Sequence, residues 1–144
     1  MARLFALVVL FAGCATEGSA PTERGSSPQC EEAAQHSDLA WLQANVFTPG
    51  CAAFGGCHGS SRTMGNLNLE SGTSHRSLVG VTARAQPSWT RVVAGEPDAS
   101  YLLVAIGHLE GPAPSRGLMP LSAQPLCVEK REAIERWIFD GAKP

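Results

Sequence analysis

Residues 51–59 read Cys51-Ala52-Ala53-Phe54-Gly55-Gly56-Cys57-His58-Gly59, and the reading of this stretch decides the fold. Two thiols followed directly by an imidazole form the arrangement that attaches haem c. The cysteines add to the vinyl groups, and the His after the second one is placed under the iron as an axial ligand. The opposite side of the iron then needs a ligand from elsewhere in the chain. Met119 is the candidate, 61 residues past His58 in Gly117-Leu118-Met119-Pro120. A thioether is a soft donor suited to haem iron, and a His/Met pair raises the reduction potential. The motif departs from the usual one in its gap, with five residues between Cys51 and Cys57 instead of two. Gly55 and Gly56 give the backbone freedom to bulge, so that both thiols reach the two vinyls. The alternative is a Cys51–Cys57 disulfide in a haemless binding or structural module.

Other donors are weaker candidates. Met64 lies six residues past His58, too little chain to cross a haem. His36 and His75 read as surface residues, and His108 is the second choice for the distal ligand. Zinc lacks a convincing second pair of ligands beside Cys51, Cys57 and His58. Nucleophilic catalysis is weaker still, because adjacent Cys57 and His58 do not orient as nucleophile and base and no third group is evident. No catalytic residue is assigned.

Outward from the motif, composition bounds the fold. The chain has 144 residues, room for one domain, with 44% apolar and 17% charged residues, as in a folded globular protein. A net charge of -2 gives no polyanion-binding character, so nucleic acid is not an expected partner. Fifteen glycines and ten prolines make it loop-rich and exclude a long-helix bundle or coiled coil. Only 6% of residues are aromatic, so the core is thin and calls for a staple: disulfides, a metal or a large apolar cofactor. Five cysteines are available.

The N-terminus reads as an address. Arg3 precedes an unbroken apolar run over residues 4–11, the size of a signal-peptide core and too short to span a bilayer. Phe11-Ala12-Gly13-Cys14 resembles the bacterial lipobox, which implies a signal peptide over 1–13 and a lipid anchor on Cys14. The residue after Cys14 is Ala, not Asp, which by resemblance to sorting rules leans to the outer membrane. Residues 14–29, polar and rich in Ser, Gly and Pro, read as a tether. The domain then runs over 30–144, in an oxidising compartment where disulfides and haem attachment both form.

Within that domain Leu39, Leu42, Val46 and Phe47 recur at helical spacing. They predict a helix over 30–47, with Ser37 or Asp38 as a cap and Thr48-Pro49-Gly50 as its stop. A short helix is expected over 74–81 and a second definite one over 98–106, capped by Asp98 and stopped by Gly107. Ile134, Trp137 and Ile138 predict a last helix over 125–140. No alternating run marks a strand. The expected fold is therefore mostly α, a small domain of about four helices with long Gly/Pro-rich loops.

In order along the chain come Val46-Phe47-Thr48-Pro49, Cys57-His58-Gly59, Leu67-Asn68-Leu69, Leu78-Val79-Gly80-Val81, Arg91-Val92-Val93-Ala94-Gly95-Glu96-Pro97-Asp98-Ala99-Ser100-Tyr101-Leu102, Leu118-Met119-Pro120 and Trp137-Ile138-Phe139-Asp140-Gly141-Ala142. Together they resemble a class I cytochrome c-like domain of myxobacterial and planctomycete lipoproteins, over roughly residues 38–142. The resemblance implies thioether attachment at Cys51 and Cys57, with His58 and Met119 as iron ligands. It implies a non-enzymatic carrier of single electrons between periplasmic or membrane redox proteins. Trp89, Arg91 and Arg116 are candidates for the haem carboxylates by residue type. With Cys14 lipidated and Cys51 and Cys57 on haem, parity leaves Cys30 and Cys127. First and last helices cross in cytochrome c domains, which makes a Cys30–Cys127 disulfide the expected pairing against two buried free thiols.

Overall fold

The computed structural model describes residues 27–53 and 57–144. The expected signal peptide, the Cys14 anchor and most of the tether lie outside them. The first helix among the described residues is α1 (Pro28–Ala33), with a proline at its start, where a missing N–H costs nothing. The single helix expected over 30–47 is broken instead. Asp38 adopts an extended conformation and its carboxylate accepts from Trp41 N at 2.8 Å, which starts α2 (Leu39–Leu42) afresh. This cap holds the Asp38 carboxyl below its ordinary value. The imidazole of His36, in the break, stacks on Trp41 with centroids 4.6 Å apart.

From α2 the chain runs on as a π-helical segment, Gln43–Ala52, straight through Pro49. The expected stop at Thr48-Pro49-Gly50 does not occur. A proline has no N–H to donate and crowds the preceding turn, which the wider π turn accommodates. Val46 and Phe47 of this segment are buried.

Next comes a minimal hairpin, β1 (His58–Gly59) against β2 (Arg62–Thr63), antiparallel. After it come α3 (Ser74–Leu78), then β3 (Thr82–Ala83) antiparallel to β4 (Gln86–Thr90) with a register shift. A 3-10 turn, Pro97–Ala99, leads into α4 (Tyr101–Ala105), which is shorter than expected and has Ser100, not Asp98, at its N-cap position, without a side-chain capping bond. The chain ends with α5 (Val128–Phe139).

This corrects the expected fold class. Among the described residues helix accounts for 42% and strand for 12%, in two small sheets, and only two helices reach seven residues. The architecture is not the mostly-α domain of about four helices. Three of the four strands are two residues long and carry no alternation for a sequence reading to detect, and α1 to α4 span only four to six residues each.

The core gathers what the periodicity marked. Leu42, Val46, Phe47, Leu103, Ile134, Trp137 and Ile138 are all essentially inaccessible, each a side chain whose burial contributes on the order of 1.5–3 kcal/mol. A satellite cluster of Ala83, Tyr101 and Val104 sits beside it, with Trp89 packed against it. α1 is fastened to α5 twice. Cys30 and Cys127 form a disulfide, and the Arg136 guanidinium donates to the Ala33 and His36 carbonyls at 2.8 and 3.1 Å. Among the described residues no helix is long and apolar enough to cross a membrane.

Candidate functional site

The β1–β2 hairpin fixes His58. Met64 N donates to Cys57 O at 2.9 Å, and Leu69 N donates to His58 O at 2.7 Å. Ser60 donates from both its N and its Oγ to Glu70 Oε1 at 2.9 and 2.8 Å, bonds that lower the Glu70 carboxyl. Gly59 is required between them. A Cβ there would stand 3.0 Å from Ala52 O and 3.2 Å from Glu70 Oε1.

The His58 ring hydrogen-bonds through Nδ1 to Met64 O at 3.1 Å. A carbonyl only accepts, so Nδ1 carries the proton and the neutral ring keeps its lone pair on Nε2. Burial lowers the His58 pKa first. The Met64 and Leu67 carbonyls offset part of that, and the Arg91 charge lowers it further. The imidazole is thus held in the neutral form a metal needs.

His58 stands on the wall of a cavity of about 510 Å³. Cys51, from the π-helical segment, and Met119, from the long loop before α5, stand on the same wall. Burial pushes the Cys51 thiol up to about 11, so it is a protonated, inert thiol at neutral pH. Met119 is half-buried against the core and its N donates to Ala105 O at 2.8 Å. Three of the four expected site residues therefore meet at one cavity. Cys57 is half-buried and is not part of the wall among the described residues. Cys51 and Cys57 are free thiols, so the disulfide of the haemless alternative is not formed.

The other histidines are engaged elsewhere. His108 Nε2 meets Glu135 Oε2 at 2.9 Å, and His75 Nε2 meets Ala142 O at 2.8 Å. His108 is not on the cavity wall, which leaves the second choice for a distal ligand without support. Met64, set aside on spacing, does line the cavity.

The charge of the wall bears on what it can hold. Arg84, Arg91 and Arg116 line it, and among the described residues no carboxylate does. The Tyr101 hydroxyl is buried with no hydrogen-bond partner among the described residues, an arrangement that costs free energy until a partner arrives. Of the three residues named for the haem carboxylates, Arg91 and Arg116 are on the wall. Trp89 instead packs on Tyr101 with centroids 6.1 Å apart. An apolar hole with imidazole, thioether and thiol donors, cations and an orphaned hydroxyl suits a flat apolar group bearing iron and carboxylates. The residues present fit haem.

Arg91 and Tyr101 lie in the segment running from Arg91 to Leu102 that the sequence singles out, and Arg91 was already a candidate by residue type, whereas no motif marks Arg84.

No family model matches the chain, and no curated protein and no solved structure matches it.

Proposed function

We propose that this protein is a c-type cytochrome, a carrier of single electrons tethered by lipid on Cys14 at the periplasmic side of the cell envelope. One observation carries the reading. Met119, 61 residues past His58, lines the same apolar cavity of about 510 Å³ as Cys51 and His58. When bound, haem supplies a one-electron ferric/ferrous couple. The chain's own residues do the rest. His58 offers its Nε2 lone pair from the hairpin, and Met119 offers a thioether from the loop before α5. Phe47, Leu67, Leu78 and Leu102 exclude water, and a low dielectric favours the less charged reduced centre. Arg84, Arg116 and the Tyr101 hydroxyl, all on the cavity wall, would hold the carboxylates. With imidazole and thioether both engaged no position is left for a substrate, so the protein passes electrons to redox partners and turns nothing over.

A haemless binding module is the second reading, favoured by the absence of Cys57 from the cavity wall. Expression with a cytochrome c maturation system separates the two. The electron carrier is coloured and low-spin, and Met119→Ala admits carbon monoxide to the ferrous form and lowers the midpoint potential, whereas His108→Ala does neither. A colourless product supports the haemless module.

A further inference from the structure

Arg91 is the most deeply buried cation of the cavity wall, 8% exposed, and no carboxylate pairs with it among the described residues. Its guanidinium is spent on backbone carbonyls. Nη1 donates to Ser77 O at 2.6 Å, and Nη2 donates to Gly65 O at 2.8 Å and Asn66 O at 3.2 Å. Burying an uncompensated charge is costly, so this placement calls for a reason beyond packing. The two carbonyls belong to a turn of unusual shape. Gly65 and Asn66 are both left-handed, at φ 67° and 53°. Asn tolerates that conformation at a cost that other residues do not bear easily. The turn begins at Met64, whose carbonyl receives the His58 Nδ1 proton and also Leu67 N at 3.3 Å.

We propose that Arg91 is a positioning residue for His58. Its planar fork bridges α3 to the left-handed turn at 64–67 and fixes that turn so that the Met64 carbonyl selects the Nδ1-protonated imidazole. Nε2 is thereby kept as the lone-pair nitrogen. A fork is needed because the bond acceptors lie on two separate segments. An ammonium is a point donor and cannot hold both with the same geometry. The consequence at the iron rests on the haem reading, but the tautomer does not. Were His58 to hold haem iron, the fixed positive charge of Arg91 would also favour the reduced state.

The test reads the tautomer on the haem-free full chain by 15N shifts of the His58 ring at pH 8, where the imidazole is neutral. Wild type is expected in the Nδ1–H form. Arg91→Gln should lower the ratio of Nδ1–H to Nε2–H about fivefold, the loss expected for one released hydrogen bond of ordinary net strength. Arg91→Lys should also lower it, and is the variant to read if Arg91→Gln does not fold. A purely structural arginine would cost stability in both variants and leave the ratio of the folded protein alone. An unchanged ratio in the folded variants, or a wild-type ring protonated on Nε2, overturns the proposal. In the haem-loaded protein Arg91→Gln should also lower the midpoint potential, with Arg91→Lys nearer wild type. A chain that shows the tautomer shift but takes up no haem upholds the role of Arg91 and refutes the electron carrier.

Discussion

Removing the Cys30–Cys127 disulfide, in a Cys30→Ser/Cys127→Ser variant, should destabilise the domain without altering its native structure. The bond closes a loop with a sequence separation of 97. Tying ends that far apart removes about 4.7 kcal/mol of conformational freedom from the unfolded chain in the chain-entropy treatment. That is a third or more of the stability of a small domain, about 5–15 kcal/mol. The native state loses less. Arg136 still grips the Ala33 and His36 carbonyls, and Ala33 stays in the core, so α1 keeps its place on α5. The effect should therefore appear on unfolding and not in the native spectrum. In urea, with a slope of about 2 kcal/mol/M, the midpoint should fall by about 2 M. Circular dichroism followed against urea, on protein whose bridge has been mapped by unreduced peptide analysis, gives the number. A midpoint within about 0.5 M of the parent would refute the reasoning, as would an altered native spectrum.

Three further outcomes are expected. In the haem-free chain at pH 8 Cys51 should react with iodoacetamide about 100-fold more slowly than in the unfolded chain, because its pKa rises from 9.0 to about 11. Peptide-resolved labelling measures this, and equal rates would contradict it. His58 titrates below its ordinary 6.5 in the folded chain, so on acidification the unfolded chain binds a proton that the folded chain refuses. Stability should fall as pH drops through about 6.5, and His58→Gln should flatten that part of the urea midpoint profile. Gly107→Ala should cost on the order of 1–2 kcal/mol, since Gly107 sits at φ +69° just past α4; a thermal melt equal to wild type would show that this loop relaxes freely.

The helical faces were legible where apolar residues repeat. Leu42, Val46, Ile134, Trp137 and Ile138 carry the period and fill the core. Asp38, one of the two caps the sequence offers, does cap a helix, accepting from Trp41 N; what was not legible is that α1 stands before it as a separate helix. The hairpin around His58 escaped because its strands are two residues long. At the site, Cys51, His58 and Met119 stood out by residue type and order. Arg91 was also marked by residue type, but the contacts of the supporting groups were not legible. Arg91 and Glu70 act through carbonyls and a serine distant in sequence or set by turn geometry, and only the folded chain places these.

The most direct test of the haem reading is whether the iron porphyrin stays with the chain after denaturation. Protein produced with a cytochrome c maturation system is run on a denaturing gel and stained for haem peroxidase activity, beside a Cys51→Ser/Cys57→Ser variant. A covalent c-type cytochrome gives a stained band at the chain's own mass, and the double variant gives none. A wild-type band without stain, with both Cys51 and Cys57 open to alkylation in the unfolded chain, would contradict the account.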